Sequence, residues 1–164
     1  MHARIIPPPV SDQAAATVLA GGEDTGGRFS LIHVHCLRGG EPPLHRHHRE
    51  DVVIHVLQGE LAFRINDVTH HLGSGATVLV PRGIEHGYAL RSDTADLLML
   101  LTPAGAETCV GSFHESDTSI EHMVIAAAHH GIEITGPASH LTTSDTEHLL
   151  TSAHPSPILP GIDT

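Results

Sequence analysis

Residues 42–60 read PPLHRHHREDVVIHVLQGE and combine clustered histidines with the apolar pattern of a β-strand. His45 and His47 lie two positions apart, and on a strand such residues point to the same face with Cα atoms about 6.5–7 Å apart. Two imidazoles placed in this way can bind one metal ion. Gly39 lies six positions before His45, and Gly59 ends the apolar run that follows. A lone His-x-His pair is a weak signal, so its meaning depends on the rest of the chain.

A second segment, GATVLVPRGIEHGYAL, follows after about one hairpin and again joins a strand, a turn and a histidine. Its residues Gly75, Pro81, Gly83 and His86 form the pattern G-x5-P-x-G-x2-H. Proline and glycine at this spacing predict a tight turn, and His86 opens the strand that follows it. The two segments together are far more specific than either one alone.

Turn signals divide residues 29–103 into short strands. The apolar or alternating runs are FSLIHVHCL, VVIHVL, ELAFRI, VTHHL, ATVLVP, HGYAL and ADLLMLLT. They are separated by RGGEPP, QGE, IND, GSG, PRG and RSDT. Many short strands with frequent turns are typical of an all-β sandwich or barrel. The Pro-, Ala- and Gly-rich residues 1–28 are expected to form an N-terminal arm that contributes an edge strand.

The composition changes after Pro103. Residues 104–136 are expected to form an extension with one helix, capped by Thr118 or Ser119 and stopped at Gly131. The helix is predicted from four apolar residues at helical spacing: Ile120, Met123, Val124 and Ala127. Residues 137–164 are rich in Ser, Thr and Pro, and we expect a flexible tail.

Charge excludes several classes of function. The 164 residues carry a formal net charge of -11, and all eight basic residues are arginines. Such a chain repels phosphate backbones and anionic lipids, so we expect neither nucleic-acid nor membrane partners. Without lysine, these residues cannot form a Schiff base or a Walker-type phosphate site.

Cysteine usage and the first residues bear on the compartment. Cys36 and Cys109 form no CxxC pair, which favours a reducing environment. The start, MHARIIPPPV, lacks the basic and long apolar regions of a signal peptide, and no apolar run approaches the ~18–20 residues of a membrane helix. We therefore expect a cytoplasmic protein.

The two histidine segments resemble the two motifs of the cupin superfamily, G-x5-H-x-H-x3–4-E-x6-G and G-x5-P-x-G-x2-H-x3-N. The resemblance covers residues 29–103, and AAHHGIEITGP (residues 127–137) resembles the end of small single-domain cupins called quercetinase-like, or quercetin 2,3-dioxygenase-like. It implies a double-stranded β-helix, a small antiparallel barrel, with a short C-terminal helix. It also implies that His45, His47 and His86 are metal ligands.

The sequence departs from the first motif at one informative position. Counted back from Gly59, the family's glutamate ligand falls on Val52, and the trailing asparagine of the second motif falls on Leu90. Loss of the carboxylate weakens metal binding and leaves the ion more electrophilic. Either the site has three histidines, or the barrel has given up its metal.

Several neighbours are candidates to replace the missing glutamate. Glu50 has the right face parity but sits one pleat back, in the turn. Asp51 points to the opposite face unless a bulge intervenes, and His55 also has the wrong parity. His33 and His35 share one face of the first barrel strand and reach the lumen only if that face points inward.

The resemblance implies a metal-dependent, dioxygenase-like enzyme that acts on an enol, phenol or diketone. One divalent ion per chain, Fe, Mn, Ni, Co, Cu or Zn, would be bound unless the site has lost its metal. The alternative is a cyclase, isomerase or decarboxylase of secondary metabolism, in which His86 or His45 serves as the acid–base group. A third possibility is a non-catalytic ligand-binding cupin.

With one Tyr, three Phe and no Trp in the chain, the pocket for a small-molecule substrate is expected to be aliphatic, and face parity predicts which residues line it. The predicted pocket residues are Val52, Ile54, Val56, Phe63 and Val78. The resemblance also implies a homodimer.

Overall fold

The computed structural model describes residues 5–7, 15–113 and 120–138. Within these ranges the chain forms ten strands and three short helices. The strands are β1 (Ala15–Ala20), β2 (Ser30–Leu37), β3 (Pro43–His47), β4 (Asp51–Gln58), β5 (Glu60–Ile65), β6 (Val68–Gly73), β7 (Thr77–Val80), β8 (His86–Leu90), β9 (Thr94–Thr102) and β10 (Ile132–Ala138). The helices are α1 (Gly22–Thr25), α2 (Glu107–Ser112) and α3 (Ile120–His129).

The strands form two five-stranded sheets, in the orders β1-β2-β9-β4-β7 and β10-β3-β8-β5-β6. All of these pairings are antiparallel. A single apolar core draws buried side chains from both sheets. This architecture confirms the predicted all-β fold, a double-stranded β-helix.

Period-two alternation explains why the sheets close on one core. Strands β2, β4 and β9 each alternate buried and partly exposed residues along most of their length. On β4 the buried positions are Val52, Ile54 and Val56. Each fully buried side chain of this size contributes about 1.5–3 kcal/mol to folding. The same alternation decides which side chains of β4 can face the interior of the barrel.

Two predicted elements outside residues 29–103 are present in the structure. Strand β1 is an edge strand of the first sheet, as expected for the arm. Helix α3 matches the predicted helix, and Gly131 follows it with a φ of +74°. The predicted caps Thr118 and Ser119, and the tail beyond Ala138, lie outside the described residues.

Two elements of the extension were not predicted. Helix α2 has six residues, too few for a helical period to be recognised. Strand β10 pairs with β3 and contains Gly136 and Pro137, which argue against a strand in the sequence. The boundary drawn after residue 136 therefore passes through β10.

One carboxylate fixes the start of α2 against the N-terminal segment. The Glu107 carboxylate accepts hydrogen bonds from the backbone N–H groups of Gly22, at 2.9 Å, and Gly105, at 2.7 Å. These contacts place α2 beside α1. No helix among residues 5–7, 15–113 and 120–138 is long and apolar enough to cross a membrane.

Replacement of Gly59 by alanine is expected to destabilise the barrel strongly. Gly59 has a φ of +94°, and an added Cβ would lie 2.6 Å from the Thr94 carbonyl oxygen. Gly75 has a φ of +86° with nothing within 4 Å of its Cβ position, so Gly75→Ala carries the backbone strain alone, about 1–3 kcal/mol. Gly59→Ala should cost about 1–3 kcal/mol more than this control. Urea denaturation measures the free energy of unfolding of both variants. Equal losses of stability would contradict the predicted steric overlap at Gly59.

Candidate metal centre

Three buried histidines converge inside the barrel. His45 and His47 lie on β3, and His86 opens β8, where it pairs directly with His45. One ring nitrogen from each residue lies within 4.8 Å of the others. The ring centroids are 4.5 Å apart for His45 and His86, 5.3 Å for His45 and His47, and 5.7 Å for His47 and His86. The structure therefore brings together the three residues predicted to bind a metal.

Hydrogen bonds at the far side of each ring fix its tautomer. The Nδ1 atom of His45 lies 2.8 Å from the Pro43 carbonyl oxygen, and that of His86 lies 3.0 Å from the Ile84 carbonyl oxygen. The Nδ1 atom of His47 faces a carboxylate oxygen at 3.2 Å. Carbonyl and carboxylate oxygens accept hydrogen bonds, so each Nδ1 carries the proton. Each Nε2 is left with a free lone pair, as a metal ligand requires.

Burial keeps two of these imidazoles neutral. It lowers the pKa of His86 to about 4. The hydrogen bond to the Ile84 carbonyl raises this pKa, and the neighbouring His47 lowers it further. Burial also lowers the pKa of His45 well below its usual value, with added repulsion from His86 and His47. A neutral imidazole has no proton to displace when a metal binds. The three residues thus fit a divalent transition metal, for which imidazole is a common ligand.

Position 52 contributes no ligand atom to the cluster. Val52 is 1% exposed, and its side chain lies beside the histidines. Asp51 points outward, and both of its carboxylate oxygens lie 3.0 Å from the Arg82 guanidinium, which lowers the Asp51 pKa to about 2. Glu50 points inward, as its parity predicted, but its carboxylate bonds to Nδ1 of His47. Neither acid belongs to the cluster of three ligand atoms.

The other candidate histidines lie on the outer face of the first sheet. His55 makes a 2.8 Å hydrogen bond through Nδ1 to the Thr77 hydroxyl. His33 Nε2 and His35 Nδ1 contact the same Asp96 oxygen at 3.2 Å and 2.9 Å. On β2 the intervening residues are buried, so the face that carries His33 and His35 points away from the lumen. None of these three histidines can reach the cluster.

A cavity borders the three histidines, and its walls are mainly apolar. Besides the histidines, it is lined by Pro42, Val52, Ile54, Tyr88, Met99, Val110 and Phe113. Val52 and Ile54 were predicted, but Val56, Phe63 and Val78 do not line this cavity. Val56 and Phe63 are fully buried in the core, and Val78 packs against its edge.

Phe63 does not line the cavity, but it contacts one of the three histidines. Its ring stacks on that of His86, with centroids 6.1 Å apart.

Two residues that line the cavity are aromatic, so the expectation of an aliphatic wall was incomplete. Tyr88 lies in β8, and its hydroxyl is 3.2 Å from Cys36 Sγ, while the Phe113 ring lies 5.9 Å from that of His45.

Sequence reasoning missed the contribution of α2 to the cavity. Val110 lies in α2, and Phe113 is the first residue after this helix. Their position depends on tertiary packing, which no local pattern predicts. Met99 was also missed, although the alternation of ADLLMLLT carries a signal, because Leu97 and Leu101 are buried on the same face.

Comparisons with known proteins agree with this architecture. Residues 32–103 match the cupin domain family. The chain is 32% identical over 83 residues to a quercetin 2,3-dioxygenase of Bacillus subtilis, an alignment that covers 51% of this chain and 25% of that protein. The chain therefore spans only about a quarter of this relative.

Solved structures show the same fold at low identity. KdgF from Halomonas sp. has a TM-score of 0.53 at 19% identity, and the match covers 62% of this chain and 90% of that one. An RmlC-like cupin with a double-stranded β-helix fold from Methanocaldococcus jannaschii has a TM-score of 0.52 at 19% identity, over 63% and 94% of the two chains. The family match is limited to residues 32–103, and the likeness to the solved structures concerns the fold.

Acidification is expected to destabilise the metal-free protein. Unfolded His86 titrates near its ordinary pKa of about 6.5, whereas the folded residue titrates at about 4. Between these values the unfolded state binds more protons than the folded state. The contribution of His86 to the free energy of unfolding is therefore fully present above pH 6.5 and is lost toward pH 4, by at most about 1.4 kcal/mol per pH unit. Urea denaturation at several pH values should give a shallower pH dependence for His86→Gln, whereas the surface variant His55→Gln should match the wild type. Parallel profiles for His86→Gln and the wild type would contradict the assigned shift.

Proposed function

We propose that this protein is a metal-dependent, dioxygenase-like cupin enzyme with a three-histidine site that acts on a small enol, phenol or diketone. One observation carries the proposal: three imidazoles converge with every Nδ1 bonded to an acceptor, which leaves three Nε2 lone pairs beside an apolar cavity. The named relative, a quercetin 2,3-dioxygenase, supports an oxygen-dependent reaction.

The three Nε2 atoms of His45, His47 and His86 would hold one divalent ion, Fe, Mn, Ni, Co, Cu or Zn. Such an ion supplies Lewis acidity toward an enolate oxygen, and a redox-active ion also supports chemistry with O2. The chain itself orients the three imidazoles and keeps those of His45 and His86 neutral. Val110 and Phe113 add apolar surface from outside the barrel and help to keep water from the histidines.

The residue at position 52 restricts the substrate class. Val52 places methyl groups where the family motif places a carboxylate, so no base at this position can remove a substrate proton. A substrate that already ionises easily, such as an acidic enol or a 1,3-diketone, suits this site better than a weakly acidic alcohol. The apolar walls favour a small molecule whose polar oxygens are grouped at one end.

A metal-free cyclase, isomerase or decarboxylase with His86 or His45 as the acid–base group has less support. An efficient general base has a pKa near the working pH. Burial lowers the pKa of both residues far below neutrality, which makes them weak bases but good metal ligands. The homodimer expected from the resemblance stays a prediction, which light scattering in solution can measure.

The metal content of tag-free protein tests the three-histidine site. We expect about one equivalent of a divalent metal per chain by elemental analysis after incubation with each candidate ion. His45→Ala and His86→Ala should each lose most of it. His48→Ala is the matched control, because His48 is adjacent to the site in sequence but is exposed and contacts Glu133 at 3.0 Å. Absence of metal from the wild type, or equal metal in His86→Ala, would refute the site.

Oxygen uptake tests the reaction class. Protein loaded with Fe, Mn, Co, Ni or Cu is expected to consume O2 in the presence of a 1,3-diketone or an acidic enol, measured with an oxygen electrode. His86→Ala should reduce the rate at least about 100-fold, since loss of a ligand removes the bound ion. If substrate disappears at the same rate without O2, the protein is an isomerase, cyclase or decarboxylase and the dioxygenase-like proposal is wrong.

A further inference from the structure

We propose that Glu50 is a positioning residue that strengthens metal binding through His47 and supplies, from behind the ring, the negative charge that position 52 lacks. This inference rests on the proposed three-histidine site and deepens it. It concerns the Glu50 carboxylate itself, which the cluster of three ligand atoms does not include.

The contact between the two residues is buried and direct. Glu50 Oε2 lies 3.2 Å from His47 Nδ1, and the side chains are only 2% and 3% exposed. A carboxylate accepts the Nδ1 proton and makes the opposite nitrogen, Nε2, more electron-rich. Burial strengthens this effect because the local dielectric constant is low. The hydrogen bond thus fixes the ring orientation and raises the basicity of the ligand atom together.

The position of Glu50 follows from the chain just before β4. Residues 50, 52, 54 and 56 are all buried, so Glu50 shares the inward face of the strand although it precedes it. One pleat earlier than Val52, its carboxylate reaches the far side of the His47 ring rather than the side that faces the cluster. The carboxylate is therefore displaced from a ligand position to a supporting one.

The burial of Glu50 also favours a cation nearby. A buried carboxylate is costly unless a positive charge lies close to it. The Arg82 guanidinium bonds directly to Asp51, with two nitrogen–oxygen distances of 3.0 Å. A metal ion on Nε2 of His47 would add a positive charge across the ring from Glu50. The Glu50 carboxylate would thus favour the metal-bound state of the protein.

His47 is distinguished from the other two candidate ligands by this partner. His45 and His86 donate to neutral backbone carbonyls, of Pro43 and Ile84, whereas His47 donates to an anionic side chain. Backbone carbonyls cannot be changed by side-chain substitution, but Glu50 can. Substitution of Glu50 can therefore alter the hydrogen bond behind a proposed ligand without removing the ligand itself.

Zinc affinity is the direct test. Zn²⁺ binding is measured by competition with a chromophoric chelator for the wild type, Glu50→Gln and Asp51→Asn. Glu50→Gln keeps the size of the side chain but removes its charge, and should weaken binding about 10- to 100-fold. Asp51→Asn removes the same charge one residue along, on the outer face, and should stay within about 2-fold of the wild type. Equal affinities for Glu50→Gln and the wild type would overturn the role of Glu50 and leave the three-histidine site intact.

A second measurement separates this inference from the proposed function. In ¹⁵N NMR spectra of the metal-free wild type at pH 8, His47 should be the Nδ1–H tautomer, because Glu50 accepts that proton. The Nε2–H tautomer at His47 would overturn the proposal, whether or not Glu50→Gln folds. If the wild type binds no Zn²⁺, the proposal of a three-histidine site is wrong, and so is the proposed role of Glu50 in metal binding.

Discussion

The antiparallel pairing of His45 with His86 is the contact on which the site depends. It is the point where β3 meets β8, and it joins segments 41 residues apart in the chain into one cluster. His47 enters the same cluster because a strand returns to the same face every two residues. The turn before His86 then decides where β8 begins. The cluster is therefore a consequence of strand register, since two strands suffice to place all three imidazoles.

In the proposed site, Glu50 takes over part of the electrostatic role that a carboxylate ligand has in the motif that the sequence resembles. Neutral imidazole ligands and Val52 would leave the charge of a divalent ion uncompensated. The Glu50 carboxylate, one ring away, would reduce this charge without occupying a coordination position, so that more positions would stay open for substrate. Val52 would then shape the apolar wall, and Glu50 would supply the electrostatic support.

Local patterns predicted the site better than its surroundings. The spacing of His45 and His47 predicted that these two residues share a face, and the resemblance to the cupin motifs predicted that His86 joins them. The outward direction of His33 and His35 could also have been derived, because apolar residues alternate with them on β2. By contrast, β10 contains glycine and proline and is held by its pairing with β3. Contacts made by α2 on the cavity likewise depend on tertiary packing that no short pattern encodes.

Anomalous diffraction from crystals of the wild-type protein grown with Co²⁺ shows directly whether the three histidines bind a metal. We expect one strong anomalous peak within coordination distance, about 2.0–2.2 Å, of the Nε2 atoms of His45, His47 and His86. The Glu50 carboxylate should remain bonded to Nδ1 of His47 and outside the coordination shell. No peak at this position, or a metal bound directly by Glu50, would contradict a three-histidine site that Glu50 supports from behind His47.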